Sequence, residues 1–253
     1  MDDEGLEILY EESPCLVVNK PPGVLTQAPP GIDSMEVRIR AYLKRREGGT
    51  VLPSLPAPLP KGEGNSGSDI YVGVPHRLDR PASGAMVFCT KYRATRKLAE
   101  QFERRLVKKV YWALVSGRVT PDSGTWEDYL RKIPGEARVE VVPPDRPEGR
   151  LAILHYRTLD AADWGSCLEI RLETGRTHQV RVQAATRGHP LLGDAQYGST
   201  VSFGPQYEDE RLQAIALHAR TLEFRHPDTK QMVAVTAPVG ADWQEFLPLA
   251  ALP

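Results

Sequence analysis

Metal-ligand spacing is missing from this 253-residue sequence. Its three cysteines, Cys15, Cys89 and Cys167, form no CxxC, and its six histidines form no pair at helical spacing. An odd, scattered set of cysteines in apolar surroundings reads as buried free thiols of a reducing compartment, against a zinc site or a disulfide scaffold. No apolar run reaches the ~18–20 residues of a membrane-spanning helix. The acidic start Met1-Asp2-Asp3-Glu4 lacks the basic-then-apolar pattern of an export signal, so a cytoplasmic protein is expected. GxGxxG after a strand, the P-loop, HExxH and GxSxG are absent too, which takes support from nucleotide-cofactor, zinc-protease and serine-hydrolase chemistry. No cofactor and no metal are expected. Charge of one sign is not in excess either: 32 Lys+Arg face 33 Asp+Glu, a net charge of −1.

That neutral average hides an asymmetry. Between His76 and Arg118 stand eleven basic residues and three acidic ones, a local charge of +8 that leaves −9 for the remainder. A positive surface on a neutral protein fits a phosphate-binding face, and fits equally a solvated basic helix with no partner.

The pattern of short apolar runs and turns predicts strands over Leu6–Tyr10 and Leu16–Asn19, a turn at Lys20-Pro21-Pro22-Gly23 and a helix over Met35–Arg46. Residues 47–68, with five Gly and four Pro in 22 positions, read as an exposed loop. Strands are expected over Tyr71–Pro75, Ala85–Cys89 and Val110–Ser116. A helix is expected over Thr90–Arg105, with Ala94, Leu98, Phe102 and Leu106 on one face and Arg93, Arg96, Lys97, Arg104 and Arg105 on the other. Hairpins fill 125–172, ending in a strand Cys167–Leu172. A helix then runs from about Arg176 to Arg187, closed by Gly188 and Pro190, and a last hairpin pairs His218–Phe224 with Gln231–Thr236. Strands outnumber helices and follow one another through hairpins, so the fold class is α+β with a mostly antiparallel sheet and flanking helices. No repeat and no second domain is evident, and residues 1–253 are expected to form a single domain.

Three places carry chemistry. His76-Arg77-Leu78-Asp79-Arg80-Pro81-Ala82-Ser83-Gly84 puts a carboxylate between two arginines in a turn between apolar strands. A carboxylate so placed stays ionised, which suits a nucleophile or base and not a general acid; it suits a surface ion pair as well. Gly175-Arg176-Thr177-His178-Gln179-Val180-Arg181 joins a strand to a helix that begins with exposed backbone N–H groups, an anion-binding arrangement reinforced by two arginines and a histidine, and equally one in which Arg181 caps or ion-pairs within its own helix. Tyr111 and Trp112 follow Lys108-Lys109 in a strand whose alternation sends them to opposite faces, so one of them can stack on a nucleobase or fill the core.

With these residues in view, the chain resembles the RluA-type RNA pseudouridine synthases from about Leu6 to Pro238, apart from the Gly/Pro loop. Val18-Asn19-Lys20-Pro21-Pro22-Gly23 is similar to the family's N-terminal motif, and His76–Asp79 with Ser83-Gly84 to the signature of its catalytic aspartate. Lys109-Val110-Tyr111-Trp112-Ala113-Leu114-Val115-Ser116-Gly117 resembles the motif of its active-site tyrosine. Gly175–Arg181 resembles the motif of the arginine that pairs with that aspartate. Gly188–Asp194 and Leu217-His218-Ala219 extend the likeness. Ala82 departs from it, standing where relatives commonly have threonine, and the sequence starts at the catalytic domain with no room for a separate S4-like domain.

The resemblance implies a central RNA-binding cleft and an isomerase that converts uridine to pseudouridine in ribosomal or transfer RNA, on a nucleotide flipped out of its stack. It implies that Asp79 attacks C1′ or abstracts the 2′ proton, that Tyr111 stacks on uracil with its hydroxyl helping to remove the C5 proton, and that Arg181 aims Asp79. Arg77 would help extrude the base or fill the vacancy it leaves. RNA contacts would fall to Arg77, Arg176 and His178 and, along the basic helix, to Arg96, Lys97, Arg104 and Arg105. The partner is an rRNA or tRNA stem-loop, with no membrane, and the protein is expected to be monomeric. Two alternatives stand beside this reading: a catalytically silent RNA-binding or ribosome-assembly factor on the same fold, and glycosidic hydrolysis, which normally needs two carboxylates.

Overall fold

The structure is a computed structural model and describes residues 6–46 and 70–247; the Gly/Pro-rich stretch 47–68 lies outside the described residues. In chain order the elements are β1 (Glu7–Glu12), β2 (Cys15–Lys20), α1 (Met35–Arg46), β3 (Ser83–Cys89), α2 (Tyr92–Glu103), β4 (Lys108–Ser116), β5 (Ser123–Lys132), β6 (Val139–Val142), β7 (Arg150–Ala162), β8 (Gly165–Leu172), α3 (Gln179–Ala185), β9 (Leu217–Arg225) and β10 (Met232–Thr236).

The described strands join in one ten-stranded sheet of order β1-β2-β3-β9-β4-β8-β7-β5-β6, with β10 paired to β9. Its centre is built from the most continuously apolar runs. Val17, Val18, Met86, Val87, Ala113, Leu114 and Val115 are fully buried, as strands covered on both faces must be. Along β4 the side chains alternate: Tyr111, Ala113 and Val115 enter one core cluster, and Trp112 and Leu114 another on the opposite face.

One pairing shapes the site. β3 and β9, far apart in sequence, run parallel and touch only at Ser83↔His218 and Gly84↔Ala219, whereas the other named pairs are antiparallel. Gly84 has φ +114°, and a Cβ there would lie 2.4 Å from the Ala219 carbonyl oxygen, so only glycine permits this approach. On the other side of β9 the register with β4 shifts between Val110↔Thr221 and Tyr111↔Ala219, leaving Arg220 as the extra residue beside Tyr111.

Three expected elements differ. Residues Tyr71–Pro75 form no strand; a single bridge, Gly73↔Cys89, ties them to the sheet. α2 ends at Glu103 because Arg105 adopts φ +58°, with its N–H on the Phe102 carbonyl and the Leu106 N–H on that of Gln101. Leu106 therefore leaves the apolar face on which Ala94 and Leu98 are buried, and is 56% exposed. The third helix starts at Gln179 and not Arg176, since His178 has φ +51°, which an α-helix cannot accommodate. No described helix is long and apolar enough to cross a membrane.

Candidate active site

The turn that carries Asp79 is held by the segment after β2. Lys20 is fully buried, and its Nζ donates to the carbonyl oxygens of Pro21, Arg80 and Ala82 at 2.9, 3.0 and 2.7 Å. Three donors meet three acceptors, which uses the whole hydrogen-bonding capacity of an ammonium group. Burial nonetheless pushes its ionisation down to about 7, with the charge of Asp79 working the other way. Gly23 exchanges two bonds with Arg80, its N–H to the Arg80 carbonyl and Arg80 Nε to its own. Thr26 Oγ1 donates to the Leu78 carbonyl and accepts from the Leu78 N–H. The Lys-Pro-Pro-Gly turn thus acts as a brace for residues 78–82. Lys20→Met leaves these carbonyls without their donor and frees the turn. Turnover is expected to fall about 100-fold, as for a reacting group misplaced by an ångström, with KM for RNA nearly unchanged; steady-state kinetics with RNA check it.

Asp79 opens into a pocket of about 100 Å³, lined also by Arg77, Tyr111, Arg176, His178 and Arg181. All six of these sequence-predicted residues are brought together. The Asp79 side chain keeps 26% of its surface exposed, while Arg181 keeps 4%. Arg181 Nη1 stands 3.7 Å and His178 Nε2 4.0 Å from Asp79 Oδ2, so two potential cations face one carboxylate oxygen. Tyr111 is 6% exposed. Burial, and then the charge of Asp79, push its phenol above the usual range. The hydroxyl accordingly stays protonated around neutral pH.

The expected pairing of Arg181 with Asp79 is present as this 3.7 Å contact, and Arg181 has a second, closer carboxylate partner. It grips Asp194 with two parallel bonds, Nε to Oδ2 at 2.6 Å and Nη2 to Oδ1 at 2.7 Å, and Nη2 also reaches Gln196 Oε1 at 2.8 Å. Its guanidinium lies 4.9 Å from the centre of the Tyr197 ring. Asp194 is 1% exposed, so the pair is enclosed. Only Nη1 is left to address Asp79. The Tyr197 hydroxyl accepts from the Val139 N–H and bonds His178 Nδ1 at 2.9 Å. Burial favours the neutral form of the His178 ring, with the charge of Asp79 working the other way. Sequence patterning does not single out Asp194, Gln196 or Tyr197 for this network; Asp194 enters it only as the end of the Gly188–Asp194 motif.

Two of the N–H groups at the expected anion-binding helix start already have partners. The Arg176 N–H is taken by Gln179 Oε1, which also accepts from Thr174 Oγ1, and the Gln179 N–H is taken by the Arg176 carbonyl. Arg176 contributes its side chain instead, with Nε on the Leu151 carbonyl.

The pocket opens into a cleft of about 980 Å³ whose walls carry Arg77, Arg105, Lys109, Lys132, Arg138 and Arg176. Of the four basic residues expected along α2, only Arg105 borders it, paired loosely with Glu173 at 3.8 Å. Arg96 and Lys97 line a separate hollow with Glu100 and Glu103, and Lys97 bonds the Pro227 carbonyl and Asp228 beyond β9. Arg104 is exposed and pairs with Glu100 one turn back. Periodicity located the basic face but not the direction it looks. His76 is likewise structural: stacked 4.3 Å from Phe102, it accepts the Val87 N–H on Nε2, and burial followed by the charge of Lys109 pushes its ionisation down to about 3.

The three cysteines are free and buried. Among the described residues, no group of three or more His, Cys, Asp or Glu side chains could hold a metal ion.

Comparison with known proteins places these features in company. The family model described as RNA pseudouridylate synthase matches residues 14–186, which include Asp79, Tyr111 and Arg181. An uncharacterized RNA pseudouridine synthase of Synechocystis is 33% identical over 242 residues, covering 96% of this chain and 68% of the relative. A ribosomal large subunit pseudouridine synthase D of Xanthomonas campestris is 34% identical over 251 residues, covering 97% and 69%. Among solved structures, human RNA pseudouridylate synthase domain containing 4 superposes with a TM-score of 0.68 at 20% identity, covering 93% of this chain and 89% of that one, a likeness of fold.

Proposed function

The chain belongs to the RNA pseudouridylate synthase family and is an isomerase acting on RNA, and on that premise we propose that Asp79 performs the chemistry on a uridine of large-subunit ribosomal RNA. One observation carries this reading: an ionisable oxygen 3.7 Å from a buried arginine, in a pocket lined by Tyr111 and of a size for one base and not a whole nucleotide. Isomerisation breaks the N1–C1′ bond, turns the uracil and rejoins it through C5, so the pocket must admit a base everted from its stack and hold it through the rotation. Asp79 acts at the ribose, as nucleophile at C1′ or base toward the 2′ proton. Tyr111 stacks on the base and lets it turn in its own plane. Arg181 and His178 keep the carboxylate aimed, and Arg77, exposed at the rim, occupies the place the base has left.

The sheet runs without a break from β1 to β6, which supports reading the described residues as one catalytic unit that presents its own RNA-binding cleft. Ribosomal RNA is favoured over transfer RNA by the name of the Xanthomonas relative. The test is tritium release from separate [5-³H]uridine-labelled pools of large-subunit ribosomal RNA and transfer RNA. Release from the ribosomal pool is expected; release from the transfer pool alone reassigns the substrate, and release from neither removes the proposal.

A further inference from the structure

Lys109 is a cation that the site described so far leaves unused. It lies two residues before Tyr111 on β4, on the same face of the strand and about 7 Å toward the cleft. It lines both the small pocket and the larger cleft, and so stands where one opens into the other. Its Nζ rests against Gly175, 3.6 Å from where a Cβ on that glycine would be, and 5.8 Å from the centre of the Phe102 ring. Among the described residues this Nζ makes no hydrogen bond and no ion pair, although Lys109 is largely removed from water and its ionisation is depressed by burial. Of the other cations of the rim, Arg105 faces Glu173, Arg138 faces Glu136 and Arg176 donates to a carbonyl, whereas Arg77 and Lys132 are exposed to water, where an unpaired charge costs little. A desolvated ammonium without a counter-ion is costly. Dipoles of a neutral base edge would offset that cost only in part, whereas a full negative charge would offset it well.

Resting on the reading above, we infer that Lys109 is a phosphate subsite, holding the backbone phosphate next to the everted uridine at the mouth of the base pocket. With the uracil on Tyr111 and the ribose at Asp79, the sugar–phosphate chain must leave past Lys109 to reach the cleft. The subsite grips the flipped nucleotide itself and not the flanking duplex, so it acts on capture of the everted state.

The test uses the full chain carrying Asp79→Asn, whose binding is read without turnover, and transcribed large-subunit ribosomal RNA as probe. Lys109→Met in that background should weaken binding about tenfold, the scale of one charge-assisted contact. It should also lower the slope of log affinity against log KCl by about 0.7–0.9, the signature of one lost phosphate contact. Lys109→Arg should keep most of both. With Asp79 restored, Lys109→Met should raise KM and leave kcat within about threefold, and it should melt no lower than the parent, since a buried unpaired charge is gone. An unchanged slope, equal losses in the Met and Arg variants, or a loss confined to kcat at saturating RNA overturns the assignment. Because the binding arm needs no catalysis, it stands or falls apart from tritium release by the unaltered chain.

Discussion

Asp79→Asn should abolish tritium release, by at least about 10⁴-fold, while RNA affinity stays within about twofold and the melting temperature hardly moves. The size of the first effect follows from removing the reacting group and not one that assists it. Phosphate contacts supply most of the affinity of such a complex, and the cleft that makes them is left intact, so binding should persist. The third expectation comes from the structure. Had Arg181 relied on Asp79 for its counter-charge, the amide would strand a buried guanidinium. Arg181 is instead held by two bonds to Asp194 and a third to Gln196, and meets Asp79 only at 3.7 Å. The carboxylate at 79 is therefore not needed to neutralise Arg181. Rate, filter-binding and thermal-melting measurements on the one variant check all three, and a large drop in stability would contradict the network described.

The second large effect belongs to Asp194. Asp194→Ala removes the partner of an arginine that is 4% exposed, from a position itself 1% exposed. Breaking a buried pair from one side costs about 3–5 kcal/mol, because the other charge remains enclosed, which for a chain of this size lowers the melting temperature by about 10 °C. Arg181 would also swing away from Tyr197 and from Asp79, so turnover should fall with it. The two consequences are separable. A chain carrying both Arg181→Leu and Asp194→Leu encloses no unpaired charge, and its stability should return close to that of the parent, while turnover stays lost. Calorimetry and kinetics on the two single variants and the double form a cycle in which stability is restored and activity is not. If activity came back with stability, Arg181 would be a structural residue only.

The sequence reading went furthest where chemistry and chain proximity coincide. Asp79 in a charged turn, Tyr111 in a strand beside lysines and Arg181 after a strand-ending glycine were each recognisable, and the pocket unites them. The strand pattern was also legible, since alternation along β4 does send Tyr111 and Trp112 to different core clusters. What failed to show was anything set by tertiary geometry. The left-handed turn at His178 and the one at Arg105 are made by residues that rarely adopt it, so no composition signal announced where α3 begins or α2 ends. The partner of Arg181 sits 13 residues away across a turn, and burial, which makes Asp194 decisive, is not written in its neighbours. A helical wheel showed that Arg96, Lys97 and Arg104 share a polar face, but not that this face looks away from Asp79; the cleft charges come from Arg77, Arg105, Lys109, Lys132, Arg138 and Arg176, scattered over strands and turns. Lys20 is legible only as part of a turn, since its role as the clamp of the Asp79 turn depends on the carbonyls of Arg80 and Ala82, distant in sequence, beside that of its neighbour Pro21.

The most direct measurement of the central claim follows one labelled base through the reaction. The unaltered chain is incubated in EDTA with [5-³H]uridine-labelled large-subunit ribosomal RNA, and released tritium is compared with pseudouridine in the digested RNA and with free uracil in the supernatant. The two products of isomerisation should rise together, one tritium for each pseudouridine, with no free uracil, and neither should rise with the Asp79→Asn chain. Uracil set free without pseudouridine, or turnover that survives the loss of the Asp79 carboxylate, would contradict the account.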